Sequence, residues 1–84
     1  MSSREFRYSV LFEPAEEGGY VVTCPALPGV VTEGDTLDEA REMAAEAIRG
    51  YLEVLAKDGV AFPSDEAVEA GAIRETIAVA IENA

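Results

Sequence analysis

The sequence contains no histidine, no tryptophan and a single cysteine, Cys24, among its 84 residues. A lone cysteine cannot form a disulfide within the chain, and without histidine there is no Cys/His cluster of the kind that holds zinc. Cys24 also has no imidazole to act as its base, so nucleophilic catalysis of the usual kind is excluded. We interpret Cys24 as a small core residue, and we expect a domain with no catalytic residue, no metal and no cofactor.

Long hydrophobic runs are absent as well. Nowhere do about 18 apolar residues follow one another, and MSSREFRYSV has no apolar run of signal-peptide length, so we expect a cytoplasmic protein that does not bind membranes. We expect residues 1–84 to form one domain, and a domain this small buries only about 60% of its unfolded surface. Because neither disulfides nor metals are present to stabilise it, we expect a homo-oligomer.

Positive charge is scarce. Six Lys and Arg residues stand against 17 Asp and Glu residues, which gives a net charge of -11. Such a surface repels nucleic acid, so direct nucleic-acid binding is not expected. Because the acidic residues are spread along the chain, they indicate a solvated surface of a folded domain. They either keep the protein soluble or attract a basic partner protein.

Three strands are predicted in the first part of the chain. Alternation of apolar and polar residues indicates a strand in EFRYSVLFE, and the loop PAEEGG connects it to an antiparallel second strand, YVVTC. Pro25 and Pro28 lack a backbone N–H, so the regular backbone hydrogen bonding of the second strand cannot continue through them. We assign Gly29 a positive φ that reverses the chain into a short third strand, VVTE, which ends at Gly34.

A helix is predicted from Thr36 to the Asp58-Gly59 pair. Thr36 and Glu39 form a capping box, in which the Thr36 hydroxyl accepts from the Glu39 N–H and the Glu39 carboxylate accepts from the Thr36 N–H. Apolar residues recur at helical spacing and form one stripe that lies on the sheet: Leu37, Ala40, Ala44, Ala47, Ile48, Tyr51, Leu52 and Leu55.

The last stretch, AIRETIAVAIENA, fits a helical and a strand pattern. We favour a strand, because the helical interpretation leaves Val79 on the polar side and the β-branched residues alternate without a break. A right-handed crossover through the helix would place this strand parallel beside the first. The predicted fold is therefore α+β, with the order β-β-β-α-β and a mixed sheet that carries one helix on one face.

The run GGYVVTCPALPGVVTEGDTLDEA resembles the HicB family of antitoxins, also called UPF0150. The resemblance covers residues 6–57. It includes a hairpin glycine and aromatic residue, a Pro-x-Leu-Pro-Gly turn, a Gly-Asp-Thr helix entry and a Glu-Ala pair in the first helical turn. Most of these positions are structural and name no reactive group: Gly19, Tyr20, Pro25, Leu27, Pro28, Gly29, Gly34, Asp35, Thr36, Glu39 and Ala40.

The resemblance implies a partly degraded ribonuclease H-like fold that binds and neutralises HicA, a small basic RNA-cleaving toxin, in a type II toxin-antitoxin pair. It also implies that many relatives carry a C-terminal DNA-binding domain. We expect none here, because about 29 residues remain after Leu55 and they hold no basic stretch. A stand-alone oligomeric protein-binding domain that has lost its toxin is the alternative.

An enzyme remains a weaker alternative, because ribonuclease H-like folds cleave nucleic acid with clustered carboxylates that hold two divalent metals. Glu13, Glu42 or Glu46, and Glu75 form the candidate set. The chain has no aspartate in the middle of the first strand, and its negative surface repels the substrate. We therefore interpret the protein as a binding protein and not as a nuclease.

The sheet face away from the helix is the candidate interface. If the helix covers the face bearing Tyr8, Val10 and Phe12, the other face carries an apolar patch from three neighbouring strands, with Glu33 at its rim: Leu11, Val21 and Val31. Such a patch on a small domain marks an interaction site. We expect a homodimer or tetramer that uses this face or the exposed edge of the last strand, with the acidic rim left for a basic partner.

Overall fold

A computed structural model describes residues 3–65 and 73–82 of the protein. Four strands and one helix are found in these residues, in the order β1 (Ser3–Pro14), β2 (Tyr20–Thr23), β3 (Val31–Gly34), α1 (Leu37–Lys57) and β4 (Ile73–Glu82). The α+β class and the β-β-β-α-β order are confirmed. The interpretation of the last stretch as a strand is also confirmed.

The sheet has the strand order β3-β2-β1-β4, and every neighbouring pair is antiparallel. The predicted mixed sheet is therefore wrong, because β4 runs antiparallel and not parallel to β1. Its register joins Ser3 to Glu82 at one end and Phe12 to Ile73 at the other.

The direction of β4 follows from the end of β1 at which it begins. Ile73 lies opposite Phe12, so β4 can pair with β1 only by running back towards Ser3, in the antiparallel direction. Before it, the segment after α1 is bound to the middle of β1. The Tyr8 hydroxyl donates to the carbonyl of Pro63 at 2.6 Å, and the Ser9 N–H donates to Asp65 Oδ1 at 2.7 Å.

The core lies between the sheet and α1. Alternate residues of the first two strands point into it, as the sequence pattern predicts, and the stripe on α1 faces them. The turn between β2 and β3 and the end of β4 complete this core. Its buried members are Tyr8, Val10, Phe12, Val22, Cys24, Ala26, Leu27, Val30, Ala40, Ala44, Ile48, Leu52, Val79 and Ile81.

The helix begins and ends where the sequence predicts. Thr36 is the N-cap, and its hydroxyl accepts from the Glu39 N–H at 3.1 Å. The return bond is different from the predicted one, because the Glu39 carboxylate accepts from the N–H of Asp35 at 3.0 Å instead of that of Thr36. The donor satisfied by Glu39 thus lies one residue before the cap. At the other end Asp58 is the C-cap, and Gly59 follows with φ 70°.

Close approach, and not a positive φ, explains two of the glycines. The positive φ assigned to Gly29 is wrong, since within the described residues only Gly18, Gly19 and Gly59 have one. A Cβ atom on Gly29 would instead lie 2.9 Å from Cε2 of Tyr51, so this turn packs tightly on α1. At Gly34 a Cβ atom would lie 2.5 Å from the backbone nitrogen of Ala40. β3 and the first turn of α1 can therefore touch only through a glycine.

Candidate protein-binding surface

Residues of β1, β2 and β3 form one part of the sheet surface that α1 leaves uncovered. We call it the open face. Its apolar members do not belong to the core cluster, and Val31 is 65% exposed. Leu11 and Val21 are half-buried. The open face comprises Leu11, Glu13, Val21, Thr23, Val31 and Glu33.

The strand register shows how these six residues are arranged. One row crosses the sheet from Leu11 through Thr23 to Val31. The next row crosses from Glu13 through Val21 to Glu33, so an exposed glutamate flanks Val21 on both sides. Leu11, Val21, Val31 and Glu33 thus share one surface, as the sequence predicts. Within each row, apolar and polar side chains alternate.

A cleft with acidic walls adjoins the open face at Glu33. It has a volume of about 430 Å³ and lies between the β1–β2 turn, the end of β3 and the first turns of α1. No Lys or Arg is among its lining residues, and Met43 provides an exposed apolar wall. We call it the acidic cleft; its polar side chains are Glu17, Tyr20, Glu33, Asp35 and Glu39.

The carboxylates proposed for metal binding are not brought together. Glu75 accepts two hydrogen bonds from Arg41 Nε, at 2.7 and 3.0 Å, and Asp38 binds the same guanidinium. The hydrogen bond from Arg41 lowers the pKa of Glu75 below its usual value, against an opposing effect of desolvation. Among residues 3–65 and 73–82, no group of three or more Asp, Glu or Cys residues is placed to hold a metal ion.

The middle of β1 is covered, contrary to what the alternation pattern predicts. Ser9 belongs by position to the open face, but it is only 3% exposed because Asp65 binds both its N–H and its hydroxyl, at 2.7 and 2.8 Å. Burial raises the pKa of the neighbouring Tyr8, and the charges of Cys24 and Asp65 add to the increase. Sequence reasoning missed this contact because its partners are 56 residues apart.

Some of the motif residues are buried, and some line the acidic cleft. Leu27 is fully buried, and backbone bonds from Leu27 to Cys24 and from Val30 to Leu27 close the turn between β2 and β3. A further subset borders the cleft: Tyr20, Gly34, Asp35 and Glu39. No sequence pattern pointed to Glu17 and Met43, which reach the same cleft from other elements.

Residues 8–82 match a protein-family model described as the HicB-like antitoxin of bacterial toxin-antitoxin systems. The chain belongs to this family. A UPF0150 protein of Thermoplasma acidophilum is 46% identical over 63 residues, which cover 75% of this chain and 91% of that protein. Antitoxin HicB 1 of Photorhabdus laumondii is 43% identical over 60 residues, which cover 71% of this chain. The chain spans only about two fifths of that antitoxin, since the match covers 39% of its length.

Solved structures of HicB antitoxins have the same fold as this family member. The N-terminal domain of Burkholderia pseudomallei HicB superimposes with a TM-score of 0.75 at 30% identity, covering 86% of this chain and 95% of that one. A chain of a toxin-antitoxin complex from Streptococcus pneumoniae superimposes with a TM-score of 0.79 at 15% identity, covering 90% and 69%. At that identity the second likeness concerns the fold alone. Within the described residues, no helix combines the length and apolar character needed to cross a bilayer.

Proposed function

We propose that this HicB-like chain is an antitoxin that binds and neutralises a small basic RNA-cleaving toxin of the HicA type. Family membership supports an antitoxin role, because relatives of this chain are named antitoxin HicB. The neutralised partner of a type II pair is a protein, so the chain needs a docking surface and no catalytic group. We place this activity in the cytoplasm.

The arrangement of the open face and the acidic cleft is the observation that carries the proposal. Both surfaces share Glu33, and together they combine exposed aliphatic groups with carboxylates that have no basic residue among them. A protein with a net charge of -11 attracts a basic partner over long range and raises the encounter rate. The exposed Val31 would provide apolar contact once the partner has docked.

The proposal requires a neighbouring reading frame for a small basic protein, and co-expression with that protein tests it. We expect the wild-type chain to restore growth and to stop RNA cleavage by the purified toxin. Val31→Arg introduces a positive charge and a bulky side chain at the docking surface, so we expect at least about tenfold weaker toxin binding. Val54→Arg is the matched control, because Val54 is 58% exposed and lies on α1.

Three outcomes would contradict the proposal in different ways. If the wild-type chain neither binds nor neutralises the neighbouring toxin, the antitoxin role is wrong and the stand-alone protein-binding domain becomes the better description. Equal loss of binding in Val31→Arg and Val54→Arg would show a general charge effect. Unchanged binding in Val31→Arg would place the docking surface elsewhere.

We also propose that the chain is not a nuclease. The pairing of Glu75 with Arg41 supports this, because the carboxylate is already neutralised by a guanidinium. The wild-type chain should not cleave RNA or DNA when magnesium or manganese is added. Cleavage that disappears in Glu13→Gln would overturn this part of the proposal.

A further inference from the structure

One side of α1 carries a row of apolar and small residues that the rest of the described chain leaves exposed or only half-buried. Met43, Ala47, Gly50 and Val54 follow one another at spacings of four, three and four residues, so they lie in one row along the helix. Met43 is 38% exposed, Val54 is 58% exposed, and Gly50 is exposed as well. We call this row the helix face. Spacings of three and four residues are those at which one helix packs against another.

Gly50 lies near the centre of the helix face, and the fold does not require a glycine there. No atom lies within 4 Å of the position that a Cβ atom would take on this residue, and its φ is not positive. Glycine inside a helix is less stable than alanine. Gly50 therefore weakens α1 without improving a contact within the described chain. A close approach from outside the domain would explain it.

The residues around Gly50 form a hole for a side chain of a second helix. Ala47, Gly50, Tyr51 and Val54 occupy positions i, i+3, i+4 and i+7, the four positions that border one hole in knobs-into-holes packing. The Tyr51 ring is supported from the other side, because a Cβ atom on Gly29 would lie 2.9 Å from Tyr51 Cε2. A bulky apolar side chain can therefore insert over Gly50, between Tyr51 and Val54.

A row of glutamates borders the helix face. Glu39, Glu46 and Glu53 are exposed and follow one another every second turn of α1, so they form a second row beside the first. Arg49 lies between Glu46 and Glu53 along the chain, but neither carboxylate forms an ion pair with it or with another described residue. A helix that docks here would therefore gain from Lys or Arg residues opposite this row.

A second copy of this chain fits the helix face poorly. Two copies packed antiparallel about Gly50 would bring Glu46 of one copy beside Glu53 of the other, and each copy carries a net charge of -11. The surface proposed for the toxin is also separate. Gly50 lies about 16 Å further along α1 than Glu39 in the acidic cleft, and the open face is on the opposite side of the sheet. Of the helix face, only Met43 also borders the cleft.

We propose that the helix face binds a basic amphipathic helix of a partner protein other than the toxin. A bulky apolar residue of that helix inserts over Gly50, and its neighbouring apolar residues contact Met43 and Val54. Lys or Arg residues on its flank pair with Glu46 and Glu53. Because the helix face is separate from the surface proposed for the toxin, both partners can be bound at once.

A synthetic peptide tests this surface directly. The probe is an amphipathic helix of about 15 residues, with leucine at the apolar positions and lysine on both flanks. A peptide of the same composition in scrambled order is its control. NMR titration of the full, isotope-labelled chain should show micromolar binding of the helical peptide, with the largest shifts at the amides of Ala47, Gly50 and Val54. The scrambled peptide should bind at least about tenfold more weakly.

Gly50→Leu tests the hole. The leucine fills it without a clash at Cβ, so we expect a folded domain, checked by circular dichroism, that binds the peptide at least about tenfold more weakly. Val54→Arg, the control in the toxin experiment, should weaken peptide binding as well. Ala56→Leu is the matched control here, because Ala56 is exposed on another side of α1, beside Ala80 and Ile81. It should bind the peptide like the wild type.

A charge exchange tests the glutamate row. Glu46→Lys combined with Glu53→Lys should weaken binding of the lysine peptide at least about tenfold, and a peptide with glutamate in place of lysine should recover the wild-type affinity. Glu5→Lys combined with Glu16→Lys changes the net charge by the same amount at exposed positions outside α1. This control should weaken binding of the lysine peptide far less.

The proposal is overturned if the lysine peptide does not bind up to submillimolar concentration, or if its shifts centre on the acidic cleft. It is also overturned if Gly50→Leu binds the peptide like the wild type, or if the two charge exchanges weaken binding equally. Loss of toxin binding in Gly50→Leu would assign the helix face to the toxin and overturn the separate partner. Because no toxin is present in the peptide titration, its failure leaves the proposed antitoxin function intact.

Discussion

The two faces of the sheet have different roles, although their side chains alternate along the same strands. Towards α1, Val10, Phe12 and Val22 are completely buried, whereas on the open face Val31 is 65% exposed. The face towards α1 therefore provides most of the stability of the domain. Apolar and acidic residues of the open face can be replaced with less effect on folding. Mutations on the two faces should separate folding from binding.

The largest difference in unfolding free energy is expected between mutations of two neighbouring residues of β1. Phe12→Ala removes a fully buried ring, so we expect a loss of about 3–5 kcal/mol in the free energy of unfolding. Leu11→Ala, one residue earlier on the open face, should cost about 1 kcal/mol, since less apolar area is lost from a half-buried side chain. Urea denaturation of both variants measures the difference, and Phe12→Leu replaces Phe12→Ala if the latter does not fold. Equal losses at the two positions would show that the open face is part of the core.

The contact between β3 and α1 gives the next largest effect. Gly34→Ala forces a Cβ atom to within 2.5 Å of a backbone nitrogen, so we expect a cost of about 1–3 kcal/mol. Gly50 lies in α1, and no atom lies within 4 Å of the position that an added methyl group would take. Gly50→Ala should therefore stabilise the domain by about 0.5–1 kcal/mol. Thermal melts that shift in the same direction for both variants would contradict the steric explanation.

The start of the covering helix contributes less. Thr36→Ala removes the oxygen that accepts from the Glu39 N–H, which should cost about 1 kcal/mol. Thr36→Ser keeps the oxygen and should have almost no effect on the melting temperature. If Thr36→Ala also melts like the wild type, the cap does not contribute to stability.

The smallest effect concerns the ion pair between α1 and β4. Arg41 lowers the pKa of Glu75 in the folded state, so the pair stabilises the fold above the unfolded pKa of about 4.3. That stabilisation is lost as the pH falls through the lowered folded pKa. Glu75→Gln should therefore cost at most about 1 kcal/mol at pH 7 and progressively less in acid.

Glu5→Gln is the control for this pH series. Glu5 pairs with Arg7 at 2.8 Å, but both side chains are more than half exposed, at 54% and 71%. We expect its unfolding free energy at pH 7 to be close to that of the wild type, because an exposed ion pair contributes little. A cost in Glu75→Gln that does not change with pH would show that packing, and not charge, is lost.

Local patterns predicted the elements of the fold but not the direction of β4. The helix stripe and the Thr36 cap depend on residues a few positions apart, which the sequence shows directly. The direction of β4 depends on the end of β1 at which it begins, and that pairing joins Phe12 to Ile73, which are far apart in the chain. The prediction assumed a right-handed crossover that places β4 parallel to β1, and it therefore gave a mixed sheet instead of an antiparallel one.

The candidate site was predicted in part for the same reason. Alternation placed Leu11, Val21 and Val31 on one face, because strand geometry determines that from neighbouring residues. The acidic cleft collects Glu17, Met43 and Glu33 from three separate elements, so no local pattern contains it. The close approach at Gly34 was likewise invisible, because it depends on the backbone of another element.

The position of β1 in the sheet also governs how the chain folds. β1 pairs with β2 across a short turn, but its other partner, β4, lies almost a whole chain length away, with Ser3 opposite Glu82. Closing the larger loop costs more conformational entropy, so the hairpin should form before β4 arrives. Until then, the side of β1 that receives β4 is an unpaired edge at which a second chain can bind. Refolding yield should therefore fall as protein concentration rises, because intermolecular pairing competes with the arrival of β4.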